Sequence, residues 1–160
     1  MRFQGWKVGL EAGSGTKIKA SAGWYHKFGE RTGLSVVGAY GSQKGFFVNE
    51  YNGKKVDHEF NWSGRVKFYH RLSDSWNLQN SAAFGILRQG GYPYEYKETG
   101  RIEYNDTCFY RRFTIADGLT ARYVGDRFNV TSITSLQYID DNMTLDQDFL
   151  PLDLPQSSLG

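Results

Sequence analysis

A chain of 160 residues is long enough for one ordinary domain with its own core, yet 11 Tyr, 11 Phe, 4 Trp and 19 Gly stand beside only 3 Pro and 1 Cys. Aromatic and turn-forming residues at that density indicate β-structure. The formal charge of +2 comes from 19 Lys+Arg and 17 Asp+Glu scattered along the chain, so no block tracks a phosphate backbone and no nucleic-acid partner is indicated.

The lone Cys108 excludes an internal disulfide framework and has no companions at zinc-ligand spacing. No stretch is apolar for long enough to make a spanning helix. A mean hydropathy of -0.56 does not exclude a membrane barrel, whose strands are apolar only at every second residue.

Period-two alternation recurs in segments of roughly ten residues, the length a tilted strand needs to cross a bilayer. In the first, residues 5–12, Trp6, Val8, Leu10 and Ala12 oppose Lys7, Gly9 and Glu11. The second sets Ile18, Ala20, Ala22 and Trp24 against Lys17, Lys19, Ser21, Gly23 and Tyr25; the third, residues 34–41, alternates less cleanly. The fourth places Trp62, Gly64, Val66, Phe68 and Leu72 opposite Asn61, Ser63, Arg65, Lys67, Tyr69 and Arg71. In the fifth, Trp76, Leu78, Ala82, Phe84 and Ile86 share a side that Asn80 interrupts. The sixth, residues 113–123, carries Phe113, Ile115, Leu119 and Ala121 on a side that Asp117 interrupts. The seventh, about residues 128–139, has an ambiguous phase, because Val130 and Ile133 fall on opposite faces; a bulge is expected there. The expected fold is therefore all-β, an antiparallel up-and-down meander of about seven strands that forms part of a transmembrane β-barrel.

The connections support this reading. Residues 29–33, 73–75 and 124–126 form short turns, whereas 42–59, 88–111 and the segment after 139 are long. Successive connections of a meander lie at opposite ends of the sheet, so all the long loops gather at one end, as in outer-membrane barrels with short periplasmic turns and long extracellular loops. The short connection at residues 13–16 is an exception at the long-loop end. Aromatic residues near strand ends, among them Trp24, Tyr25, Phe68, Trp76, Tyr123, Trp62 and Phe113, fit two interfacial girdles. A soluble β-sandwich or lipocalin-like barrel also alternates, but would place these rings in its core.

Few motifs carry chemistry. Residues 9–17 resemble a phosphate-binding loop only superficially, lacking the Gly-Lys-Ser/Thr ending and a following helix. His26, His58 and His70 are scattered without ligand spacing, so no metal or other cofactor is expected; His58 reads as a solvated loop residue and His70 as interfacial. No Gly-x-Ser-x-Gly elbow selects a serine, and no enzyme is expected. Asp140, Asp141, Asp146 and Asp148 read as a solvated acidic loop, since they lack the spacing and glycine of a calcium-binding EF-hand. Recognition is expected in the long loops, where Phe46, Phe47 and Tyr51, then Tyr92, Tyr94, Tyr96, Tyr104, Phe109 and Tyr110, offer amphipathic rings. Arg101, Arg111 and Arg112 are suited to an anionic ligand. The competing reading is that the same rings merely pack the loops.

The runs at residues 109–119, 132–138 and 140–149, with the opening at 13–17 and the strand at 62–72, resemble barrel sequence of TonB-dependent receptors of Gram-negative bacteria. The resemblance covers about residues 5–150 and is one of strand and loop texture. It implies location in the cell outer membrane, contact with outer-membrane lipid, and uptake of a scarce small-molecule or oligosaccharide nutrient such as a siderophore, haem or cobalamin. Such receptors have plugged barrels of about 22 strands and use force transmitted through TonB. Because a signal peptide, plug domain and TonB-contacting box are not identifiable, the resemblance implies a partial barrel domain over 1–150, with TonB reached only through a plug absent from this chain. An irregular tail at 151–160, which stops reading as barrel, is expected to mark a truncation or shifted reading frame. Two other readings stay open: a small complete outer-membrane barrel with a structural or adhesive role, marked by pairing between the first and last strands, and a soluble lipocalin-like ligand-binding barrel.

Overall fold

The computed structural model describes residues 3–152, which form one sheet of seven strands in the order β1-β2-β3-β4-β5-β6-β7. The strands are β1 (Gly5–Gly13), β2 (Lys17–Phe28), β3 (Thr32–Gln43), β4 (Glu59–Arg71), β5 (Trp76–Gly90), β6 (Phe109–Val124) and β7 (Asn129–Thr144), and every neighbouring pair is antiparallel. No helix occurs among the described residues. Of the expected irregular tail, Pro151 and Leu152 form a bend, and the remainder lies outside the described residues.

All seven expected strands are present, and several run longer than their apolar stripes. β5 continues past Ile86 to Gly90, and β6 begins at Phe109 instead of Phe113. Ladder hydrogen bonds join backbone groups, so pairing persists where alternation of side chains stops. The expected bulge in the seventh strand is absent: β6 and β7 pair one to one from Phe109↔Thr144 to Val124↔Asn129. Val130 and Ile133 sit on opposite faces of a regular strand that is exposed along its whole length. Asp140 and Asp141 lie within this strand and not in a loop.

Residues directly opposed in an antiparallel ladder project to the same face. Following the register across the sheet puts all four tryptophans, Trp6, Trp24, Trp62 and Trp76, on one face with Val8, Leu10, Val36, Val66, Phe84, Ile115 and Leu119. This apolar face is uncovered: Leu10 is 82% exposed, Trp6 70%, Trp62 49% and Phe84 42%. The polar residues that interrupt the β5 and β6 stripes are diagonal neighbours that satisfy each other, since Asn80 Nδ2 donates to Asp117 Oδ1 at 2.9 Å and to Oδ2 at 3.2 Å. Near the middle of this face the chain uses Gly64, where a side chain would collide with the Phe84 ring.

The sheet is not closed. Among the described residues β1 pairs only with β2 and β7 only with β6, so the pairing of first and last strands that marks a small complete barrel is not found there. Among the described residues the buried hydrophobic side chains are Val56, Ile102 and Tyr104, all in the long loops and none in the sheet.

Candidate functional site

The connections at 44–58 and 91–108 leave the same end of the sheet, joined there by residues 145–152 and the tight β1–β2 turn. They fold into a cap. Val56, Ile102 and Tyr104 cluster with Cys108 packed against them. Short hairpin bridges, Val48↔Lys55 and Tyr96↔Arg101, shape each loop. Asn49 is fully buried, and its side chain ties the loops together: Nδ2 donates to the Tyr104 carbonyl at 2.7 Å while Oδ1 accepts from the Tyr51 amide at 2.9 Å. The Glu50 amide donates to the Ile102 carbonyl at 2.7 Å. Asp146, 2% exposed, accepts from the amides of Asp106, Asp148 and Phe149, and its own amide donates to Cys108 Sγ at 3.2 Å. The expected solvated acidic loop is corrected here: Asp146 is a buried bracket, because three amides replace its water.

The cap also reaches the exceptional short turn. The Gly15 carbonyl accepts from the Lys44 and Gly45 amides at 3.0 and 3.2 Å, and Gly15, at φ +67°, lies under the Phe46 ring. A side chain at Gly15 would meet that ring and strain the backbone.

The candidate recognition residues divide into two groups. Phe46 and Phe47 are half-exposed, their amides held by the Asp57 carboxylate at 2.8–2.9 Å, and Tyr51 projects from the adjacent turn. Tyr92 and Tyr94 are exposed with centroids 5.7 Å apart, and Tyr94 meets Phe149 edge-on at 5.3 Å. Tyr96 is partly covered, and the charge of Glu98 lifts its hydroxyl above the usual tyrosine value. No ring contact joins the two groups among the described residues. Tyr104 is enclosed at the centre of the cap: burial first, then the neighbouring Cys108 and Asp146, pushes its pKa up to about 12. Burial likewise raises the Cys108 thiol.

The arginines are reassigned. Arg111, expected in a loop, belongs to β6, on the apolar face opposite Arg88, with its guanidinium 4.4 Å from the Phe109 ring centroid. Phe109, Tyr110 and Arg112 are strand residues too. Arg112 is engaged in a two-point bond to Asp141 at 2.7 and 2.9 Å, and the Tyr110 hydroxyl donates to the same carboxylate at 3.1 Å. Arg101 stands 3.6 Å from Glu50. His58 is an exposed loop residue, as expected; its carbonyl accepts from the Gly90 amide at 2.8 Å, and Nδ1 is 3.1 Å from the Lys55 carbonyl. His70 Nδ1 lies 2.8 Å from Thr32 Oγ1 across the β3–β4 ladder.

The second candidate is the polar face of the sheet. It carries nine cations (Lys7, Lys17, Lys19, Lys27, Arg65, Lys67, Arg71, Arg112, Arg122) against three carboxylates (Glu11, Glu59, Asp141). Two of the cations are neutralised by Lys17–Glu11 and Arg112–Asp141 pairs. A cleft of about 380 Å³ across β2–β5 is lined by Arg65, Lys67, Tyr25, Ser35, Ser63 and apolar residues that include Phe84, with no carboxylate. Ser35 is 6% exposed at its floor. Such a surface attracts anions and can hold one between guanidinium, ammonium and hydroxyl donors. Sequence spacing showed the cations of single strands; only the register gathers those of β1–β6 on one surface.

The sequence matches no known protein-family model.

Proposed function

We propose that these seven strands are part of the wall of an outer-membrane barrel of the TonB-dependent receptor kind, with the apolar face against lipid, the polar face toward a wet lumen, and the loop cap at the cell surface. The observation that carries the reading is the segregation of side chains across an open sheet: every tryptophan and most large aliphatic strand residues on one exposed face, nearly all strand cations on the other. In water such a face would be an aggregation surface; in hydrocarbon it is the solvated one.

Dimensions agree. On β4 the aromatic ends of the stripe are Phe60 and His70, ten residues apart. At about 3.3 Å per residue and a tilt of about 40°, they stand roughly 25 Å apart in height, the thickness of the apolar band of such barrels. Ring clusters sit at both ends: Tyr40 with Phe60 and Trp62 on the loop side, Trp24–His26–Phe28 and Trp76–Tyr123–Phe128 on the turn side. The free edges of β1 and β7 call for further strands of the same wall, because unpaired backbone groups are not tolerated in hydrocarbon.

The activity that follows is binding and gated passage of a scarce nutrient, without bond chemistry. Exposed rings at Phe46, Phe47, Tyr51, Tyr92 and Tyr94 contribute to capture at the surface, and the cationic polar face favours a nutrient with anionic groups. TonB would be engaged only through a plug that these residues do not supply. Tryptophan fluorescence in vesicles of brominated phosphatidylcholine tests the reading. Quenching of Trp62 in a variant whose other tryptophans are Phe is the expected result. A chain that stays monodisperse without detergent and whose Trp62 is not quenched would be the soluble ligand-binding barrel instead.

A further inference from the structure

Arg88 on β5 and Arg111 on β6 are directly opposed in the ladder, both exposed, both on the apolar face. Each is the next residue on that face beyond the apolar stripe of its strand, above Ile86 and Phe113 respectively. Like charges placed directly opposite destabilise a sheet. Arg112, one residue along and projecting to the other face, faces no like charge: it stands opposite Leu87 and Asp141 and is neutralised by a two-point bond to the Asp141 carboxylate. Among the described residues, no ion pair or side-chain hydrogen bond serves Arg88 or Arg111, and the one cation–π contact of the two guanidiniums is that of Arg111 with the Phe109 ring. Asp140, opposite Phe113, shares the surface without bonding either arginine. Between them lies a shallow cleft of about 290 Å³ lined by Ile86, Arg88, Arg111, Phe113, Asp140 and Asn142.

We propose that Arg88 and Arg111 bind the phosphate of an anionic lipid in the leaflet on the long-loop side, with its acyl chains lying along Phe84, Ile86, Phe113 and Ile115. This rests on the membrane reading above. The position selects a lipid over a free anion: bilayer phosphates sit where the hydrocarbon ends, and the guanidiniums stand at that edge, continuous with the apolar stripe. Two guanidinium forks match phosphate oxygens, and a bridging phosphate relieves their mutual repulsion. Asp140 leaves the cleft with a net single positive charge and weakens the site.

Trp62 stands opposite Ile86 and therefore reports on lipid in this cleft. In the variant retaining Trp62 alone, reconstituted in phosphatidylcholine vesicles, brominated phosphatidylglycerol as a minor component quenches in excess of brominated phosphatidylcholine at the same fraction. The expected preference is about tenfold, the scale of one charge-assisted hydrogen bond. Arg88→Gln with Arg111→Gln brings it to near parity, and Asp140→Asn raises it. Inorganic phosphate in the same vesicles leaves the preference unchanged. Equal quenching of Trp62 by both lipids in the parent, or a preference that survives undiminished in the double variant, overturns the lipid site while leaving the membrane reading intact. Loss of the preference on adding phosphate identifies a free-anion site and overturns it too. Absence of quenching by either lipid overturns both.

Discussion

The sheet and the cap solve the same problem in opposite ways. Strand residues such as Leu10 and Trp6 are 82% and 70% exposed, whereas Asn49, Val56 and Tyr104 in the loops are 0%, 4% and 4% exposed. The usual order of a globular domain, buried strands and solvated loops, is inverted. The cap meets its own polar needs through Asn49 and Asp146 and shields a small apolar cluster. The sheet satisfies its backbone between neighbouring strands but leaves its apolar side chains to the surrounding medium. The lesson is that cap stability should be indifferent to that medium and sheet stability governed by it.

The contrast breaks most severely if charge is tolerated on the wrong face. Val66→Lys, at the middle of the apolar stripe of β4, should cost about 2–4 kcal/mol in vesicles, whereas Ser63→Lys on the polar face should cost less than about 0.5. Urea unfolding of both variants in phosphatidylcholine vesicles measures this, and the reverse order would place the polar face outward. Next is Asn49→Ala, which leaves the Tyr104 carbonyl and the Tyr51 amide without partners and should cost on the order of 2–3 kcal/mol. Hydrogen exchange should rise in residues 44–58 and 91–108 and stay unchanged in the strands.

A finer test concerns the polar pair inside the apolar face. Asn80→Leu strips Asp117 of its donor and should cost about 1–3 kcal/mol, while adding Asp117→Leu should restore most of it. A double variant as damaged as the single one would mean that Asp117 serves something other than Asn80.

The smallest effect is alkaline. Tyr104 holds its proton more tightly in the folded cap, with its pKa raised from 10.0 to about 12, so its contribution is complete below pH 10 and is lost as pH rises toward 12. Proteinase K cleavage in residues 91–108 should therefore accelerate over that window in the parent. Tyr104→Phe should remove much of this pH dependence.

Much of the sheet was legible because a strand facing two media writes a period of two into its sequence. Trp62, Val66 and Phe68 against Arg65 and Lys67 required no tertiary information. Strand ends were less legible: residues 87–90 and 109–112 pair through backbone groups that leave no hydrophobic signal. The same gap misplaced Arg111 in a loop. The cap was the least legible, since one buried asparagine and one buried aspartate look in sequence like ordinary loop residues. Nothing separates Tyr104, which is enclosed, from Tyr92 and Tyr94, which are exposed, until the chain folds. The Asn80 and Asp117 interruptions were visible singly, and their mutual bond was not, because it depends on a register between strands about forty residues apart.

By itself the amino-acid sequence determined strand number, meander order and the composition of each face, since all three follow from local alternation and connection length. The tertiary structure decided what meets what: the gathering of cations on one surface, the opposition of Arg88 and Arg111, and the enclosure of Asn49 and Asp146. The physical reason is range. Alternation acts between adjacent residues, whereas burial and charge pairing depend on distances across strands that only the folded register sets.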